Sequence, residues 1–146
     1  LKGFSSKDFA KYHPGGALGK KLYLKVRDLS SVNQKPQVSV NTPLKEVIIE
    51  ISKKMLGVTA VVENDKIIGI ITDGDLRRML ERENDFTNLI AENIMTANPQ
   101  KITENSLATE AMQILQQQNI TQLVVEDDGK YFGIIHLHDL IGEGII

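Results

Sequence analysis

The 146-residue sequence contains no cysteine, which excludes a disulfide framework, a thiolate nucleophile and any Cys-ligated zinc or iron–sulfur site. It lacks a surplus of positive charge as well. Its 17 Lys and Arg stand against 19 Asp and Glu, so nothing is left over to neutralise a nucleic-acid backbone or an anionic membrane, and neither is expected as a partner. The longest apolar runs, such as Ile67-Ile68-Gly69-Ile70-Ile71, fall far short of the ~20 residues that span a bilayer. No Pro/Ser-rich or low-complexity stretch is present. The few serines sit in no Gly-flanked nucleophile turn, and Gly15-Gly16 with Gly19-Lys20 completes no phosphate loop. The opening Leu1-Lys2-Gly3 has neither an initiating Met nor a signal-peptide pattern and reads as the edge of an excised fragment. With 41% hydrophobic and 25% charged residues, the composition is that of one globular domain or two small fused ones. It is compatible with the cytoplasm.

What is present is a duplication. Gly57-Val58-Thr59-Ala60-Val61-Val62 through Gly69-Ile70-Ile71 is echoed by Asn119-Ile120-Thr121-Gln122-Leu123-Val124 through Gly133-Ile134-Ile135, a spacing of about 62 to 64 residues with small indels. Asp75-Leu76 returns as Asp139-Leu140. Each copy reads as helix, strand, tight turn, strand, short helix. Leu44, Val47, Ile48, Ile51 and Met55 recur at helical spacing behind Thr42 as N-cap and Pro43 as first helical residue; Leu107, Ala111, Met112 and Leu115 do so behind Asn105. The β-branched runs that follow are split by Asn64-Asp65 and by Asp127-Asp128-Gly129, both hairpin signals. One copy cannot cover its own apolar faces, so the two are expected to pack sheet to sheet about a pseudo-twofold axis. Residues 1–25 stand outside the duplication; 26–82 and 83–146 are the repeats.

The segment richest in chemistry is Thr72-Asp73-Gly74-Asp75-Leu76-Arg77-Arg78, where a strand runs into a helix. Such a junction offers free backbone N–H groups to a phosphate, with Arg77 or Arg78 as counter-charge. The Asp75 carboxylate suits the two hydroxyls of a ribose, Thr72 adds a hydroxyl, and Val40, Val58 and Val61 offer an apolar slot for a flat base. Thr59 and Thr121, matched in this alignment, join the candidate ligand-binding set. The plainer reading is a helix cap, which Thr and Asp form routinely, and on local chemistry alone it is the stronger one. In the second copy the threonine becomes His136, followed by His138 and Asp139, so the half-sites are not equivalent. Two imidazoles and a carboxylate resemble half a metal site, but ligand contact suits them better and no metal is assigned.

The repeat, its element order and the Gly-h-h-Thr-x-x-Asp element together resemble a pair of CBS domains. The resemblance covers about residues 26–146 and implies an α+β fold of two pseudo-twofold βαββα repeats, a Bateman module, with a nucleotide bound between them. The leader Phe9-Ala10-Lys11-Tyr12-His13-Pro14-Gly15-Gly16-Ala17-Leu18-Gly19-Lys20-Lys21-Leu22 is similar to the end of the sugar-isomerase (SIS) domain in bacterial arabinose-5-phosphate isomerases. Thr72 to Arg78 and His136 to Leu140 are similar to the same family. That likeness implies a tetrameric parent enzyme interconverting ribulose 5-phosphate and arabinose 5-phosphate for Kdo, the eight-carbon sugar acid of lipopolysaccharide and capsule. It places the family's active-site histidine at His13, for acid/base proton transfer or ring opening. The remaining catalytic groups belong to the SIS domain, so this chain alone is expected to be inactive. It needs no cofactor, and its implied role is regulatory: a nucleotide effector in the inter-repeat cleft, with CMP-Kdo favoured over AMP or ATP. The alternative is a ligand-free module that dimerises to hold the isomerase tetramer together.

Overall fold

A computed structural model describes residues 16–145. Helix α1 (Gly16–Tyr23) and the short α2 (Val26–Ser30) lead into the first repeat: β1 (Gln37–Val38), α3 (Leu44–Lys54), β2 (Val58–Glu63), β3 (Lys66–Thr72) and α4 (Asp73–Arg82). The short α5 (Ala91–Ile94) and β4 (Thr96–Ala97) precede the second: β5 (Lys101–Thr103), α6 (Ala108–Gln118), β6 (Gln122–Asp127), β7 (Lys130–His136) and α7 (Leu137–Gly142). Both repeats are therefore βαββα. No helix among the described residues is long and apolar enough to cross a membrane.

The duplication is tighter than the sequence alignment suggests. β2, β3, α3 and α4 start 64 residues before β6, β7, α6 and α7 respectively, so no indel interrupts the repeat from β1 onward. Even the β-bulge recurs, between Val61 and Val62 and again between Val125 and Glu126. This register corrects the pairing of Thr59 with Thr121: Val58 and Gln122 are equivalent, each opposite the last residue of its hairpin, Thr72 or His136. Thr59 corresponds to Leu123 and Thr121 to Gly57.

Both hairpins turn on two residues of positive φ, Asn64 and Asp65 in the first and Asp128 and Gly129 in the second, as a twist-matched two-residue loop requires. The helix caps differ from expectation. Pro43, not Thr42, is the N-cap of α3, and Leu107, two residues after Asn105, that of α6. Tertiary bridges decide this, because Pro43 pairs with Ile90 and Leu107 with Lys25, which holds both residues extended. Thr42 instead accepts from the Ser39 amide at 2.9 Å, and Asn105 from Lys25 Nζ at 2.9 Å.

The strands run β1-β2-β3-β7-β6-β5 with β4 against β3, and the two hairpins join in the sheet at Lys66–Lys130. Their inner faces meet through Val58, Ala60 and Ile67 of the first repeat and Val124, Tyr131 and Ile134 of the second. Each large apolar side chain buried there contributes about 1.5–3 kcal/mol, which is the sheet-to-sheet packing the apolar strands demand. The outer faces carry a core each, and here the connections cross over. Val26 and Leu29 of α2, ahead of β1, pack into the second repeat's core; Ala91 and Ile94 of α5, ahead of β5, pack into the first repeat's. Each repeat is completed by a segment that precedes the first strand of the other.

Candidate functional site

The two β–α turns, Thr72–Asp75 and His136–Asp139, occupy equivalent places, and each is a capping box in which the Asp accepts from the N-cap amide. They differ in how much of the carboxylate remains open.

Asp75 is closed on all sides. Its Oδ2 accepts from the Thr72 amide at 2.8 Å and the Thr72 hydroxyl at 3.1 Å, while its Oδ1 accepts from Arg78 Nη2 at 2.7 Å and Thr96 Oγ1 at 2.8 Å. A carboxylate has about four lone-pair positions, and all are used. Burial opposes its ionisation, but the Thr72 amide, Arg78, Thr96 and the Thr72 hydroxyl outweigh it and hold the carboxyl below its usual range. Asp75 thus fastens α4 to β3 and to the crossing strand β4. A ribose here would have to displace Arg78 or Thr96.

Asp139 is half open. Oδ2 accepts from the His136 amide and from Asn33 Nδ2, both at 2.8 Å, and Oδ1 accepts nothing from the described residues. His136 caps α7 with its ring, Nδ1 accepting from the His138 amide at 3.0 Å, which leaves the ring proton on Nε2. Desolvation, then the charge of His138, lower its pKa; Asp139 pulls the other way. The two rings lie 4.3 Å apart between centroids, tilted by 40°. Because His136 ends β7 and His138 belongs to α7, they do not share a strand face. Among the described residues no group of three or more His, Asp or Glu is placed to hold a metal ion.

The remaining candidates scatter. Val58 lies in the inter-repeat core, while Val61 and Val40 lie in the first repeat's outer core, so the three valines do not form one slot. Thr59 is fully buried, its hydroxyl 3.2 Å from the Ala60 carbonyl. Thr121 is exposed and donates to Gln122 Oε1 at 2.9 Å. Arg77 is exposed and pairs with no described residue; Arg78 is committed to Asp75. His13 lies outside the described residues. Two partners escaped the sequence reading: Thr96, 21 residues from Asp75, and Asn33, 106 residues from Asp139. Nothing local marks either, since both come from the crossing segments. A third, Gln122, reaches between the repeats, its Nε2 donating to the Leu56 carbonyl at 3.0 Å.

Two unequal carboxylate turns on a sheet-to-sheet pair of βαββα repeats define a class. The CBS-domain family model matches residues 26–82 and 91–145, and the chain belongs to the CBS-domain family as a tandem pair. Among curated proteins it is similar to the arabinose 5-phosphate isomerase KdsD of Salmonella typhi, 39% identical over 99% of this chain and 45% of that protein. The KdsD of Francisella tularensis is 44% identical over 96% of this chain and 43% of that protein. The chain thus spans less than half the length of these relatives. Among solved structures, a CBS domain protein of Pyrobaculum aerophilum complexed with AMP superposes with a TM-score of 0.71 at 18% identity, covering 80% of this chain and 90% of that one. The CBS domain pair of protein MJ0100, in complex with 5′-methylthioadenosine and S-adenosyl-L-methionine, gives 0.71 at 24%, covering 81% and 93%. At these identities the likeness speaks for the fold.

Proposed function

We propose that this chain is the effector-binding CBS pair of an arabinose-5-phosphate isomerase, taking up a ribonucleotide at the second β–α turn and passing its occupancy to the isomerase. The observation that carries this reading is the Oδ1 of Asp139, unpaired among the described residues and beside the His136 ring and the exposed His138, where the equivalent carboxylate of the first repeat is fully used. Asp139 is the acceptor for ribose hydroxyls, and His136 offers an Nε2–H donor. The nucleotide-bound CBS relatives support a nucleoside ligand. The resemblance to enzymes that feed Kdo synthesis favours CMP-Kdo, whose ribose suits Asp139 and whose carboxylate suits the imidazole donors. Such an effector acts by binding two states of the enzyme unequally, and the cytoplasm is where the pair would meet it.

Thermal unfolding of the 146-residue chain against AMP, ATP, CMP and CMP-Kdo tests this directly. A ligand at 100 times its dissociation constant stabilises by about 2.7 kcal/mol. The expected result is the largest shift with CMP-Kdo, lost in Asp139→Ala; no shift with any of the four overturns the reading. The rival role, a ligand-free module that holds isomerase subunits together, is favoured by exposed apolar side chains: Ile48 and Ile49 on α3, Met55 at its end, Leu80 on α4 and Ile141 on α7. Sedimentation of the chain with and without nucleotide separates the two.

A further inference from the structure

Asn33 lies ahead of β1 of the first repeat, yet its side chain bonds to the second. Its Nδ2 donates to the Ile134 carbonyl at 3.0 Å and to Asp139 Oδ2 at 2.8 Å, so both amide hydrogens face oxygens and the orientation of the amide is fixed. The segment that carries it is bound to the same repeat along its length. Val26 N donates to the Ser106 carbonyl at 2.8 Å, Arg27 N to the Glu104 carbonyl at 2.9 Å, Val26 and Leu29 are buried in the second core, and the Ser30 carbonyl passes over Gly133. Four residues beyond Asn33 the chain enters β1 and pairs with β2 of the first repeat. Residues 25–38 therefore straddle both repeats.

We infer that Asn33 is a positioning residue for the effector site: by holding Oδ2 of Asp139 it aims the free Oδ1 at the ligand, and it makes docking of residues 24–33 and occupancy of the site mutually dependent. The inference rests on the ribonucleotide reading given above. Its physical content is preorganisation. With Oδ2 held by the His136 amide and Asn33, the carboxylate has one orientation, and a ribose need displace no hydrogen-bond donor of the described residues to reach Oδ1. Linkage then works in both directions, since a ligand that favours this orientation also favours the docked segment. The corresponding partner in the first repeat, Thr96, holds a carboxylate that has no position left to offer. Of the two carboxylates, Asp139 is the one that bonds to the described segment ahead of β1.

Two measurements on the 146-residue chain test this, with AMP and CMP as probes. Isothermal titration should find affinity weakened about tenfold in Asn33→Ala, the loss expected for one charge-assisted hydrogen bond, and unchanged in Thr96→Ala. Hydrogen exchange needs no variant: saturating nucleotide should slow the amides of residues 24–33 in the unmodified chain. In saturated Asn33→Ala that slowing should vanish while nucleotide remains bound, an outcome a merely structural asparagine would not give. Equal affinity in Asn33→Ala, or no change in exchange over 24–33 on binding, overturns the inference and leaves the ribonucleotide reading standing. Absence of binding by the unmodified chain overturns both.

Discussion

Asp75→Ala should be one of the most damaging single changes at either turn, and the structure sets its size. The side chain is 6% exposed, and its truncation removes four hydrogen bonds. Arg78, with its side chain 65% exposed, returns to water at little cost, so the ion pair contributes a fraction of a kcal/mol. The Thr72 amide loses its capping-box partner, about 1 kcal/mol, and the exposed Thr96 hydroxyl exchanges its acceptor for water, which costs about 0.5–1 kcal/mol more. The sum is about 1.5–2.5 kcal/mol, or roughly 3–10 °C in Tm for a chain of this size. Asp139→Ala loses, among the described residues, the bonds from the His136 amide and Asn33, about 1–2 kcal/mol, or roughly 2–8 °C. Thermal denaturation followed by circular dichroism at neutral pH compares them. Asp139→Ala should melt above Asp75→Ala and yet be the variant that no longer responds to nucleotide. Equal melting temperatures, or the reverse order, would refute the claim that one carboxylate is committed to structure and the other is open.

The remaining predictions concern stability and protonation. Gly69→Ala should destabilise by about 1–3 kcal/mol, because its Cβ would stand 3.0 Å from the Thr96 carbonyl oxygen and 2.6 Å from Met95 Sδ; Gly133→Ala, whose nearest neighbour is the Ser30 carbonyl at 3.7 Å, should be near neutral in urea denaturation. Tyr131→Phe should cost about 1–2 kcal/mol by the same assay, since the buried phenol donates to the Pro36 carbonyl at 2.6 Å. The Tyr131 phenol should stay un-ionised in alkaline spectrophotometric titration until the protein unfolds, because burial first and Glu50's charge second raise its pKa. His136 titrates below the ordinary histidine range in the folded chain, so the unfolded state takes up its proton first as pH falls. Its contribution to stability is present above pH ~6.5 and lost as pH drops through the folded value; His136→Asn should flatten that part of the pH–stability curve, and NMR titration of the ring checks the pKa itself.

The sequence made the repeat architecture legible because a period of two in β2 and β3, a helical period in α3 and a turn dipeptide of positive φ are local signals. It also made legible that the two turns differ, since His136 stands where the first copy has Thr72. The cap positions were misread because Pro43 and Leu107 are pulled into extended backbone by bridges to Ile90 and Lys25, contacts that no local pattern encodes. The valine slot dissolved for a similar reason: Val58 and Val61 are three apart on one strand and face opposite sides, so packing on both faces separates them. The sequence offers Asp75 to a ribose as readily as Asp139, but Thr96 arrives from the other repeat's leader and uses the lone pair that a ligand would need. Asn33 was invisible to the sequence on the same grounds, and with it the part of the site that distinguishes the two halves.

The most direct test of the account is the stoichiometry of nucleotide binding, measured by isothermal titration of the unmodified chain and of Asp75→Ala and Asp139→Ala with AMP, CMP and CMP-Kdo. The account predicts one ligand per chain, lost in Asp139→Ala and retained in Asp75→Ala wherever that variant remains folded. Two ligands per chain, a single site that disappears with Asp75 and survives loss of Asp139, or no binding by the unmodified chain would contradict it.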